Sequence, residues 1–136
     1  MSALVKCSSK MKNKDQIVTA LKMMGVPAES ILSSDSGMEL RGYQSQKATV
    51  EVLVRKAFHG GYGDFGFSRG DNGTYEILVD DMDDVGALAR KLEVNKFSSS
   101  VNQWYSAAVA QRELKKKGLY TKIKKDGNKL LVVATG

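Results

Sequence analysis

The chain has one cysteine, one proline, one histidine and one tryptophan in 136 residues, and acidic residues almost vanish from its last third. Each scarcity excludes something. The lone Cys7 rules out an internal disulfide and a multi-cysteine metal site and fits a reducing compartment; a small apolar side chain on a first strand is expected of it. No run of about 18 apolar residues is present to form a membrane helix. A charged-then-apolar start with a cleavage site is missing too, so a cytoplasmic protein is expected. Residues 1–95 carry 12 Lys or Arg against 13 Asp or Glu, a net of −1, whereas residues 96–136 carry 9 against 2, a net of +7. A basic face confined to the last third predicts an acidic partner, either nucleic acid or an acidic protein surface.

What is present is patterned for one domain over residues 1–136, of which 42% are hydrophobic. A chain of this size buries about two-thirds of its surface. The clearest signals lie in residues 48–84. Val50, Val52 and Val54 alternate with Thr49, Glu51, Leu53 and Arg55, and Tyr75, Ile77 and Val79 alternate with Thr74, Glu76 and Leu78. A period of two marks half-buried strands. Phe65 and Phe67 share a face between them, bracketed by Gly60, Gly61, Gly63, Gly66, Gly70 and Gly73, and Asp71-Asn72-Gly73 is a tight-turn signal. A three-stranded antiparallel meander is predicted, with the glycine-rich residues 60–73 more mobile than the strands around them.

Residues 3–7 read as a first strand and residues 10–14 as a lysine-rich link. A helix follows from Asp15 through Met24, with Ile17, Ala20, Leu21 and Met24 on one face, Gly25 at its left-handed stop and Pro27 just beyond. Met23 and Met24 read as core filler. Residues 30–37 are polar and predict a surface loop, and residues 38–43 a strand. Asp80, Asp81, Asp83 and Asp84 then crowd before Val85, Leu88, Ala89 and Leu92. Clustered carboxylates raise the question of magnesium or calcium. Their spacing matches no calcium loop, Asp83 suits a helix N-cap and Asp84 its first turn, so a helix start is favoured and no metal is expected.

Ser98, Ser99 or Ser100 is expected to cap the longest helix, with Val101, Trp104, Tyr105, Ala108, Val109 and Leu114 as its buried stripe. Lys115, Lys116 and Lys117 suit its C-terminal dipole, and Gly118 ends it. Strands over residues 119–124 and 129–134 flank a turn at Asp126-Gly127-Asn128. Leu119, Thr121 and Ile123 face inward, and Tyr120, Lys122 and Lys124 outward. The fold class is α+β, a mainly antiparallel sheet with about three helices. Helix, glycine stop and hairpin recur at both ends of the chain, which leaves open two similar β-α-β-β lobes.

Three stretches invite a chemical reading. Gly61-Tyr62-Gly63-Asp64-Phe65-Gly66 fits G-x-G-x-x-G, but a strand pattern follows where a dinucleotide site needs a helix. Phe65 and Phe67 could stack on bases beside Arg69, although two phenylalanines on one strand face are more often core. His59 and Asp64 could form an acid–base pair in the glycine-rich loop, but no nucleophile, oxyanion site or metal partner accompanies them.

The succession of an early strand, "IVTALKMMG", "GMELRGY", "VEVLV", the stretch from "DFGFSR" through "NGTYEILVDD" and the closing "KKKGLYTKIKKDGNKLLVV" resembles a small uncharacterised family found as a hypothetical plastid reading frame, in cyanobacteria, and in other bacteria and phages. Members of that family usually begin Met-Ser-His, whereas this chain has Ala3, so any role of that histidine is missing here. The resemblance implies no established activity and no cofactor, and a stromal location if the chain is plastid-encoded. Some bacterial relatives are encoded near an AAA-type ATPase, which implies that ATPase as a partner in an accessory role. The leading expectation is a non-enzymatic binding or adaptor protein that contacts its acidic partner through Lys115, Lys116, Lys117, Lys122, Lys124, Lys125 and Lys129, with Arg69 in addition. The competing expectation is an enzyme using His59 and Asp64.

Overall fold

The computed structural model describes residues 2–127 and 129–136, so Asn128 of the predicted final turn lies outside them. The elements run β1 (Leu4–Cys7), α1 (Lys14–Met24), β2 (Leu32–Arg41), β3 (Lys47–Val54), β4 (Phe65–Arg69), β5 (Tyr75–Asp80), α2 (Asp81–Val85), α3 (Ala87–Leu92), α4 (Phe97–Lys116), β6 (Tyr120–Asp126) and β7 (Lys129–Thr135). The first five strands form one sheet in the order β1-β5-β4-β3-β2, antiparallel throughout. Strands β6 and β7 form a separate antiparallel hairpin. The class is α+β. The meander β3-β4-β5 follows from its alternating pattern and from its turn. There Asn72 Oδ1 accepts the Thr74 N–H and Gly73 adopts φ 83°, a conformation that costs glycine no steric penalty.

Helices cover one face of the large sheet. Val52, Val54, Phe65, Phe67 and Ile77 pack there with Ile17 and Leu21 of α1, Leu88 and Leu92 of α3, and Phe97 and Val101 of α4. The rings of Phe65 and Phe97 lie 4.6 Å apart, edge to face. Each such side chain stabilises the fold by about 1.5–3 kcal/mol when fully buried. Phe65 and Phe67 are fully buried, which overturns the reading of them as a base-stacking platform. A smaller cluster of Leu40, Val50, Leu53 and Leu78 forms beside this core. Val50 thus parts from Val52 and Val54, next to the register shift between Ser33 and Met38 where β2 leaves β3. Gly66 provides the space. A Cβ at that position would lie 3.1 Å from each γ-carbon of Val50 and 2.5 Å from the Val52 carbonyl oxygen.

Several local expectations give way. Much of residues 30–37, expected as a loop, belongs to β2, an edge strand in which Leu32 and Ser33 pair with β3 and the register then shifts before Met38, so its serines show no strand period. The helix expected to start at Asp83 starts three residues earlier. Asp80 is its N-cap, with Oδ1 accepting the N–H groups of Met82 and Asp83. Gly86, at φ −113° and ψ −114°, then divides it into α2 and α3 and leaves Val85 exposed. No serine side chain caps α4, which follows Lys96; the Asp84 carboxylate reaches over to the Ser98 N–H instead.

Along α4, Val101 and Ala108 are buried with Phe97 and Ala107, while Trp104, Tyr105, Val109 and Leu114 are half-buried. Cys7 is half-buried against the larger core, as is Met24. The recurring helix–glycine–hairpin pattern has two outcomes: β2-β3 joins the large sheet, and β6-β7 remains a hairpin packed on α4. Among the described residues no helix is long and apolar enough to cross a membrane.

Gly66→Ala is expected to lower the unfolding free energy by about 1–3 kcal/mol, because neither Val50 nor the β3 backbone can move aside without disturbing the smaller cluster. Urea denaturation monitored by circular dichroism measures it. An unchanged midpoint would show that β3 and β4 pack more loosely than described.

Candidate functional site

The loop between β3 and β4 holds the histidine and aspartate that the sequence put forward as an acid–base pair. Asp64 is buried, and its carboxylate accepts the N–H of Arg41 at 3.0 Å, the N–H of Lys56 at 2.9 Å and the Arg55 guanidinium at 2.8 Å. His59 Nδ1 accepts the Gly61 N–H at 3.1 Å. Each side chain is thus committed elsewhere. Burial pushes the His59 pKa below its ordinary value, against the opposing pull of Asp83, the Gly63 backbone, Asp64 and Asp80. With Nδ1 accepting, a neutral ring carries its proton on Nε2, a buried atom for which the described residues offer no hydrogen-bond partner. To act as a base the imidazole must first give up the Gly61 N–H.

The acidic run is a set of ties to the backbone. Asp83 accepts the Tyr62 N–H on both oxygens at 3.0 Å and the Gly63 N–H at 3.1 Å. Asp84 accepts the Ser98 N–H at 2.7 Å and its hydroxyl at 2.8 Å. Asp81 accepts the Ala3 N–H at 2.8 Å, and Asp80 caps α2. Four carboxylates thus serve four separate places. Among the described residues no three His, Cys, Asp or Glu side chains converge as a metal site.

The glycines have steric reasons of the same kind. A Cβ at Gly61 would collide with the Asp83 carboxylate, and one at Gly63 would stand 2.9 Å from the Gly42 Cα. Strand β4, and no helix, follows them, so the G-x-G-x-x-G match frames a packed crossing. Gly63, Asp64, Gly66 and their neighbours Phe65 and Phe67 are all buried. The mobile loop expected over residues 60–73 thus includes tied and core residues.

Arg69 ends β4. Its guanidinium donates to the Tyr75 hydroxyl at 2.8 Å, pairs with Glu51 at 3.4 Å and lies 5.2 Å from the centre of the Tyr75 ring. It belongs to the large sheet and its charge is already partnered there, apart from the C-terminal lysines with which the sequence grouped it.

Those lysines do come together along the chain. Lys115 and Lys116 occupy the last turn of α4, Lys117 caps it, and Gly118 at φ 81° turns the backbone into β6. On the outward face of the hairpin, Tyr120 lies opposite Thr135, Lys122 opposite Val133, Lys124 opposite Leu131 and Asp126 opposite Lys129. Tyr120 is 78% exposed, and Leu131 and Val133 are exposed beside the lysines. The opposite face packs on α4 through half-buried Ile123, Leu130 and Val132. All seven lysines are exposed. Lys116 pairs with Glu113 at 3.5 Å, and among the described residues the other six form no ion pair. Lys125 is on the α4 side, its ammonium 6.0 Å from the centre of the Trp104 ring. The sequence reading assigned Trp104 to the buried stripe and gave Tyr120 no role; the outward register of Tyr120, Lys122 and Lys124 was the signal that joins an aromatic ring to the basic face.

These features define an α+β protein with an antiparallel sheet and a basic helix–hairpin appendage. The chain belongs to the family described as Protein of unknown function (DUF1257), whose model matches residues 20–130. No curated protein and no solved structure is significantly similar to it.

Because the folded His59 pKa lies below its unfolded value of about 6.5, the unfolded chain takes up the proton first. Stability is expected to fall as pH drops from about 6.5 towards the folded value. His59→Asn, which keeps an acceptor near the Gly61 N–H, should flatten that slope. Thermal midpoints between pH 7 and pH 5 check it; equal slopes in both proteins would mean that His59 is not held neutral.

Proposed function

We propose that this protein is a non-enzymatic, cytoplasmic binding protein whose basic C-terminal face holds an acidic partner, either nucleic acid or an acidic protein surface. The observation that carries the reading is the outward face of the β6-β7 hairpin. There Lys122 and Lys124 alternate with exposed Tyr120, Leu131 and Val133, and the face continues into Lys115, Lys116 and Lys117 through the turn at Gly118. Unpaired ammonium groups attract anions over a Debye length of about 8–10 Å, and the apolar side chains between them add area that is removed from water on contact. The occupied lone pair of His59 and the structural commitments of Asp64 favour this reading over an enzyme built on those two residues.

Binding to a polyanion should weaken steeply with salt, with a logarithmic slope that reflects about three to five neutralised phosphates. Replacing Lys122, Lys124 and Lys125 together with Gln is expected to flatten the slope and leave stability nearly unchanged, since exposed charges contribute little to folding. Anisotropy titrations of a labelled duplex, a labelled single strand and an acidic polypeptide across salt concentrations measure this. No binding of any of the three at low salt would overturn the proposal.

A further inference from the structure

A groove of about 390 Å3 runs between the segment entering α4, the first turns of α4 and the tip of the β6-β7 hairpin. Trp104, Gln103, Lys96, Lys125 and Lys129 lie in its wall, and among the described lining residues Glu93 is the one carboxylate. We infer that this groove is a subsite for single-stranded nucleic acid, in which the Trp104 ring receives one base and Lys96, Lys125 and Lys129 hold the phosphates beside it. The inference rests on the basic-face reading above and names the partner class that the groove favours.

The chemistry of the wall is the first argument. Among the described lining residues three lysines stand against Glu93, with Asp126 directly across the hairpin from Lys129, so the wall carries a small positive excess, and none of the three lysines forms an ion pair. The Lys125 ammonium lies over the ring of Trp104, the only tryptophan in the chain, 6.0 Å from its centre, so a base stacking on that face displaces the ammonium towards the neighbouring phosphate. A phosphate-binding cation and a stacking surface are therefore adjacent. An acidic peptide would use the lysines and leave the ring without a role. Stacking accepts any base, because every base has a π-face, so sequence-tolerant binding is expected.

The setting of the ring is the second argument. Other depressions on this surface have volumes of about 420–500 Å3, and Trp104 in the wall is what sets this groove apart. In a duplex the bases are stacked and paired inside the helix, and a recessed ring has no base to receive. The third argument is continuity. Among the described residues β6 pairs with β7 alone. Lys124 precedes Lys125 and faces the opposite side of the hairpin, so the basic residues of the groove and of the outward face are neighbours in the chain.

Trp104 is also the reporter. Titrating the full chain at about 50 mM salt with an oligothymidylate of about 12 nucleotides should quench its fluorescence with the midpoint given by anisotropy of the same labelled oligomer. Trp104→Leu should weaken binding roughly 5- to 150-fold, and Trp104→Phe should recover part of the loss. Lys96→Gln and Lys129→Gln, both exposed positions, should each reduce the salt slope by about one, and they keep the inference testable if Trp104→Leu disturbs folding. A duplex of equal length is expected to bind without the quench. Oligomer binding with unaltered Trp104 emission and undiminished affinity in Trp104→Leu would overturn the groove. If that binding were still lost on replacing Lys122 and Lys124, the basic face would stand without it. Binding of polyglutamate but of no oligonucleotide would likewise overturn the groove and leave the broader proposal standing, and binding of neither would overturn both.

Discussion

The architecture depends on backbone N–H groups held by buried carboxylates, above all by the neighbours Asp83 and Asp84. These two residues lie on a helix of five residues, too short to hold itself together by its own hydrogen bonds. Asp83 reaches back to the loop before β4, and Asp84 reaches forward to the start of α4. One short element thereby joins the middle of the large sheet to the helix that carries the hairpin. An ionised acceptor makes a stronger hydrogen bond than a neutral one, and losing it would leave buried N–H groups without a partner. Asp81, on the exposed side of the same turn, makes a similar bond to the Ala3 N–H just before β1. Asp80 shows its limit: Oδ2 has no partner, and burial raises its pKa despite the two N–H groups on the other oxygen.

This use of aspartate shapes the charge of the surface. Asp64, Asp80, Asp83 and Asp84 are buried and directed at backbone or hydroxyl groups, with Arg55 the cation paired to Asp64. Lys14 meets Asp35, and Arg69 meets Glu51. Acid and base nearly balance over residues 1–95, at 13 against 12, while the lysines of α4 and the hairpin have only Glu113 and Asp126 within residues 96–136 to offset them. The uneven charge of the sequence becomes a physical separation, with a sheet that manages its own charge and an appendage that projects an unbalanced field.

What the sequence disclosed follows from how local each determinant is. Strands β3, β4 and β5 were readable because alternation and the Asp71-Asn72-Gly73 turn are properties of adjacent residues. The outward register of Tyr120, Lys122 and Lys124 was readable for the same reason. Residues 32–37 were not, because Leu32 and Ser33 alone have ladder partners there and the run to Met38 crosses a register shift, which leaves no alternation to read. The cap of α4 escaped because its acceptor, Asp84, is fourteen positions away on another helix. Val50 left its expected companions because the space it fills exists only where Gly66 of the neighbouring strand lies beneath it. His59 and Asp64 looked like a pair because they are close in the chain, yet their hydrogen bonds run to different parts of the backbone.

The place of β1 has a consequence in time. Leu4 pairs with Asp80, so the earliest of the five strands in the chain waits for the last of them. At about 5–20 residues per second this delay is roughly 4 to 15 s, far longer than the microseconds in which a hairpin closes. The β3-β4-β5 meander is complete as soon as β5 emerges, and it presents the free edge of β5 as a template. Strand β1 therefore joins a sheet that already exists. The bond from Ala3 to Asp81, just beyond the last paired residue of β5, anchors that late arrival at its outer end.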